Sequence, residues 1–93
     1  MNSLNVSPLL DRYAWSYTVL ARSREILSRF DRSPLAARRT TPRTVAASIL
    51  YVTGKLVDQK REQKQIARNL GVDVASISHL HAKLIRELHL RSQ

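Results

Sequence analysis

The chain has 93 residues, carries 16 Lys plus Arg against 7 Asp plus Glu for a formal net charge of +9, and is 43% hydrophobic with no cysteine. That length and hydrophobic content fit one small folded domain and argue against a disordered polyelectrolyte. The missing cysteine excludes disulfides, zinc–thiolate centres and thiol catalysis, while the positive charge favours polyanionic partners through counterion release.

Every element that the sequence predicts is helical. Ser7 and Pro8 read as an N-cap followed by Pro at the first helical position. From there to about Phe30, apolar residues recur at helical spacing: Leu9, Tyr13 and Tyr17, then Val19, Leu20, Ile26, Leu27 and Phe30. This periodicity fits one long helix or two broken near Trp15–Ser16. Asp31 to Thr41 (DRSPLAARRTT) reads as a basic loop with Pro34 as its breaker. Thr41 then caps a helix that has Pro42 at its first position. Val45, Ile49, Val52 and Leu56 make one stripe on it, broadened by Ala46 and Thr53. After the polar link VDQKR, a short helix is expected over Glu62 to Leu70. Asp73 caps the last helix, from about Val74 to Leu90, which buries Ile77, Leu80, Leu84, Ile85 and Leu88. No β-type alternation is sustained and no repeat is visible, so the expected fold is one all-α domain over residues 1–93.

The stretch from Gln63 to Leu84, QKQIARNLGVDVASISHLHAKL, has the residue placing of a helix-turn-helix. Ala67 is small where two helices cross closely. Gly71 follows the first helix, where a left-handed cap is needed and Gly meets no Cβ penalty. Ile66, Leu70, Val72, Ile77 and Leu80 complete one apolar surface around the turn. A plain helical hairpin inside a bundle uses the same packing, so the motif identifies a geometry before it identifies a partner.

Other chemistries find little support. His79 and His81 stand two apart on a helix and point to different sides, and His89 has Ile85 four residues before it, so no metal site is expected. His79 is expected on the surface and His81 half-buried. Scattered acids, three His on one helix and no Gly-rich phosphate loop supply no nucleophile–base–orienter set, so no catalytic residue and no cofactor are expected. Trp15, Tyr13 and Tyr17 read as core or interface aromatics rather than a base-stacking set. No apolar run approaches the roughly 18 residues of a membrane span, and the opening MNSLNVSP has neither a basic leader nor a signal-type apolar block. The sequence therefore leads one to expect a cytoplasmic, nucleoid-associated protein, or a nuclear one in a eukaryote, with no membrane partner.

The segments TTPRTVAASILYVTGKL, KREQKQIARNLGV and VASISHLHAKLIREL carry a further signal. Together they resemble the second cyclin-type repeat of archaeal transcription factor B, the counterpart of eukaryotic transcription factor IIB. Pro42, Ala46, Ala47, Leu50 and Tyr51 match the family's Pro-initiated helix with small residues and an aliphatic–Tyr pair. Lys60, Arg61 and Gln63 match the Lys-Arg-x-Gln segment that opens its helix-turn-helix. The resemblance covers about half of the chain, and residues 1–40 have the length of two further helices. It implies a five-helix cyclin-like bundle with its helix-turn-helix at about residues 62–90. It also implies binding to double-stranded promoter DNA upstream of the TATA box, together with TATA-binding protein. RNA polymerase would be reached only through a zinc ribbon and a first repeat, which this sequence does not contain.

One departure from the family shapes the expected site. Ser78 and His79 stand where the family usually has an Arg and an Asn, and Leu80 or Ala82 where it has a further basic residue. The expected base-facing residues are therefore Val74, Ala75, Ser78, His79, Ala82 and Lys83, a nearly neutral set. Its small and apolar side chains touch thymine methyls more readily than they read donors or acceptors. The expected phosphate contacts are Arg38, Arg39, Arg43, Lys60, Arg61, Gln63, Lys64 and Ser76, which position the protein without specifying sequence. Two other readings use the same features. One is a stand-alone helix-turn-helix regulator that dimerises on a palindrome. The other is a cyclin-type adaptor that docks proteins in a groove beside Val45–Leu56.

Overall fold

The computed structural model describes residues 3–90, and these residues are all-α. Helix α1 spans Ser3–Tyr13, α2 Tyr17–Asp31, α3 Pro42–Leu56, α4 Gln63–Leu70 and α5 Val74–Glu87, with a 3-10 turn at Pro34–Ala37 between α2 and α3. The Cα radius of gyration is 11.5 Å, near the roughly 12 Å of a folded domain of this length.

Helix α3 is the axis of the molecule. It packs against α1, α2, α4 and α5, and every residue from Val45 to Gly54 is buried. The stripe expected from Val45, Ile49 and Val52 is present, but the opposite side is covered too. A helix apolar enough to be enclosed all round belongs to the core rather than to a surface. Its start is as the sequence predicts: Thr41 Oγ1 accepts from the Thr44 amide at 3.3 Å, and Pro42 opens the first turn. Buried polar atoms on the axis are handled locally. Thr53 Oγ1 donates to the Ile49 carbonyl at 2.7 Å, whereas Ser48 Oγ has no partner.

The N-terminal region corrects two expectations. Ser7 and Pro8 do not start a helix, because α1 already runs from Ser3 and holds Pro8 inside it. Proline removes one helical hydrogen bond there, but beginning earlier buries Val6 and Leu10 completely. The Tyr17 ring, expected on the apolar face, is 83% exposed. The chain breaks at Trp15–Ser16, one of the two alternatives that the periodicity left open, and the break rotates the face that α2 turns inward. Val19, Ile26, Leu27 and Phe30 are buried on it. Ser16 fixes the corner by accepting from the Val19 amide at 3.1 Å and donating to Gln59 Oε1 at 2.6 Å. The Trp15 indole N–H donates to the Gln59 carbonyl at 3.0 Å, so the α1–α2 corner is fastened to the α3–α4 link.

The expected loop from Asp31 to Thr41 is partly ordered into the 3-10 turn. Pro34 opens that turn instead of merely breaking α2, and Ser33 Oγ accepts from the Leu35 amide at 3.2 Å. Leu35 is buried, which anchors the segment that follows it. The last helix ends at Glu87 rather than near Leu90. His89 turns to φ 54°, and the Leu90 amide reaches back to the Ile85 carbonyl at 3.0 Å, a Schellman ending that tucks Leu90 into the core. Among the described residues no helix is long and apolar enough to cross a membrane.

Candidate nucleic-acid interface

The helix-turn-helix is built as its residues require. Helix α4 stops at Gly71, whose φ of 69° and ψ of 42° lie in the left-handed region, and the Val72 amide bonds the Ala67 carbonyl at 3.0 Å. Ile66, Ala67, Leu70, Ile77 and Leu80 are buried around the turn, with Val72 half-buried. Arg43 from α3 donates to the Leu70 carbonyl at 3.1 Å. It thereby satisfies a C-terminal carbonyl of α4 and complements the negative end of the helix.

Helix α5 leaves one long face in solvent. Val74, Ala75, Ser78, His79 and Ala82 are exposed and Lys83 is half-buried. Successive residues advance by about 100° around a helix. Ala75 and Ala82 therefore form the crest of this face, Val74 and Ser78 one edge, and Ser76, His79 and Lys83 the other. Each edge meets a different part of the chain. On the first, the Ser78 hydroxyl donates to Gln63 Oε1 at 2.6 Å, bringing the start of α4 against the middle of α5. On the second, a groove of about 570 Å³ is lined by Arg38, Arg39, Thr40, Thr41, Thr44, Ser76, His79, Leu80 and Lys83.

The expected phosphate contacts therefore fall into separate groups. Arg38, Arg39 and Ser76 line the groove. Lys60, Arg61, Gln63 and Lys64 stand in or just before the first turn of α4, and of these Gln63 reaches the other edge of α5. There the Arg61 guanidinium lies 5.1 Å from the centre of the Trp15 ring, a cation–π contact that holds it at the α1–α2 corner. Arg43 belongs to neither group, because its guanidinium serves the Leu70 carbonyl. Of the expected base-facing residues, His79 and Lys83 sit in the groove with Arg38 and Arg39, apart from Val74 and Ser78.

The polar groups of α5 are partly committed within the protein. His81 is half-buried, as expected. Its Nδ1–H donates to the Ser78 carbonyl at 2.9 Å, and its ring meets Tyr51 edge-on at 5.1 Å between centroids. His79 instead faces the groove, so the two histidines lie on different sides of the helix. The N-terminal caps also divide by location. Ser16 and Thr41 side chains cap α2 and α3, whereas Glu62 and Asp73 make no side-chain bond to the first turns of α4 and α5. The N-cap side chains thus leave the first-turn amides of both helices uncapped, although the Gln65 amide bonds the Glu62 carbonyl at 3.1 Å.

Sequence reasoning did not single out Thr40 and Thr44 as site residues, and it read Thr41 only as a cap. The run Arg38-Arg39-Thr40-Thr41 held the available signal, hydroxyl donors directly beside guanidinium groups. Neither a scan against protein-family models nor a search of curated proteins found a match to this chain.

Proposed function

We propose that this chain is a promoter-DNA-binding domain of the kind that the cyclin-like repeat of transcription factor B represents. In this reading α5 enters the major groove, α4 braces it, and TATA-binding protein on bent DNA is the protein partner. The observation that carries the reading is the setting of α5, a nearly neutral exposed face with a cationic groove along one edge and the start of α4, a segment rich in Lys and Arg, against the other. A helix in a major groove about 12 Å wide has a phosphate backbone on either side, and that pattern of charge suits it. The first two amides of α4 and of α5, which no N-cap side chain occupies, suit phosphate oxygens as well.

The adaptor alternative would dock a protein in a groove beside Val45–Leu56, formed by the helices that enclose α3 from Val45 to Gly54. The stand-alone regulator differs from the initiation-factor reading in needing no second protein. A fluorescence-anisotropy titration of labelled TATA-containing promoter DNA, over a salt series and with or without TATA-binding protein, separates the two. Tighter binding with the partner, lost when the flank upstream of the TATA box is scrambled, supports the initiation-factor reading. Partner-independent binding by a two-fold dimer supports the regulator, and no DNA binding at low salt overturns both.

A further inference from the structure

The groove beside α5 has a charge pattern that its packing does not explain. Its charged lining is Arg38, Arg39 and Lys83, all positive, and no Asp or Glu lines it. The ion pairs found among the described residues, Arg22–Glu25 and Arg24–Asp11, both lie on α1 and α2. The groove cations therefore share one lining that holds no carboxylate. Around them stand Thr40, Thr44, Ser76 and the His79 imidazole, with the Thr41 hydroxyl bonded to Thr44 Oγ1 at 3.0 Å. Guanidinium forks interspersed with hydroxyl donors match the oxygens of phosphate better than those of an isolated carboxylate, because phosphate presents acceptors in several directions.

The cationic lining comes from two distant parts of the sequence. Leu35, buried in the 3-10 turn, fixes where the Arg38–Thr41 segment runs, and Thr41 then starts the central helix. Ser76, His79 and Lys83 project from α5 at spacings of three and four, which stacks them along one side of that helix. The site thus lies between a fixed segment, four residues long from Arg38 to Thr41, and the helix residues Ser76, His79 and Lys83, which span about two turns. That extent suits a chain of phosphodiesters.

We propose that this groove seats the sugar–phosphate backbone of one DNA strand, so that His79 and Lys83 are backbone contacts and not base readers. The inference rests on the major-groove reading given above and refines it. One edge of α5 (Ser76, His79 and Lys83) grips a strand. The other edge (Val74 and Ser78, with Gln63 behind) and the Ala75–Ala82 crest meet the bases. Sequence preference then depends on Ser78 and Gln63, and His79 contributes equally on every sequence.

The test uses the full chain and two duplexes, the promoter and the same DNA with its upstream flank scrambled, titrated by anisotropy over a salt series. The combined variant R38Q/R39Q/K83Q is expected to bind both duplexes roughly tenfold or more weakly at low salt, with the slope of log affinity against log salt reduced by about 2–3. H79Q is expected to weaken both duplexes by the same factor. An unchanged slope, or an H79Q variant that alters the ratio between the duplexes, overturns the proposal while the major-groove reading stands. Wild-type protein that binds neither duplex overturns both. Should the combined variant fail to fold, neutral methylphosphonate linkages walked along each strand report the contact on unaltered protein. Weakening at successive positions on one strand, absent in R39Q, is expected, and weakening that persists unchanged in R39Q counts against the groove. Inorganic phosphate at matched ionic strength distinguishes a free anion as the occupant. Displacement of DNA from wild type but not from R39Q would assign the groove to free phosphate and overturn the strand reading.

Discussion

At the scale of single residues, small size does more than propensity. Gly54 lies in the last turns of α3, where alanine is intrinsically preferred by about 1 kcal/mol. A Cβ there would nonetheless meet Trp15 Cζ2 at 2.8 Å and the Gln59 carbonyl at 3.1 Å. The indole is held in place by its own bond to that carbonyl, so neither neighbour yields easily. Gly54→Ala is expected to destabilise the fold by about 1–3 kcal/mol, measured by urea denaturation, and a more stable variant would mean that the corner is loosely packed. Ser48 is the converse case. Its hydroxyl is buried without a partner, at a cost of about 1–3 kcal/mol in proteins. Ser48→Ala is expected to raise stability by about 1 kcal/mol, read from the same denaturation curves. Asp58 and Gly71 occupy equivalent left-handed positions after α3 and α4, with φ of 59° and 69°. The role of Gly71 was legible in the sequence because glycine announces it. That of Asp58 was not, since Asp adopts this region only when the surrounding turn imposes it.

At the scale of elements, the starts of helices were more legible than their ends and their neighbours. Thr41-Pro42 and the turn at Gly71 are local signals, and the structure follows them. The beginning of α1 was misread because Ser7-Pro8 carries the same local signal, and burial of Val6 and Leu10 outweighs it. The α1–α2 corner could not be settled by periodicity because its decisive partner, Gln59, lies 43 residues from Ser16. Ser16→Ala removes both a cap and that long-range bond. It is expected to cost about 1–2 kcal/mol, seen as a lower midpoint in thermal unfolding followed by circular dichroism, and an unchanged midpoint would show that Trp15 alone holds the corner. Within the motif, Ser78 holds the Gln63 side chain through a single hydrogen bond. Ser78→Ala frees that amide, and the expected result is a changed ratio of affinities between promoter and scrambled duplexes with little change in stability. Equal effects on both duplexes would place sequence readout elsewhere.

At the scale of the whole molecule, the distribution of charge matters more than its total. The net +9 favours a polyanionic partner, but it does not say which surface such a partner would meet. Lys60, Arg61 and Lys64 stand at the start of α4, while Arg38, Arg39 and Lys83 line the groove on the other edge of α5. Neutralising Lys60, Arg61 and Lys64 together is expected to weaken binding to every duplex and to lower the salt slope by up to about 3. In the major-groove reading these residues and the groove cations would contact different strands, so combining the two sets of substitutions should add the two reductions. Slopes that fail to add would mean that both groups serve one strand.

The sequence by itself determined the helical class, the turn at Gly71, the entry of α3 and the basic character of the surface. Each of these is written in residues a few positions apart, in caps, periodicity and composition. Tertiary structure alone decided which helix becomes the enclosed axis, where Arg43 directs its guanidinium, and which side chains share the groove beside α5. Those outcomes bring together residues far apart in the chain, such as Arg38 with Lys83 and Ser78 with Gln63. Local propensity does not encode such pairings. They follow from the angle at which α4 and α5 pack on α3, and that angle is set by the fit of the whole core.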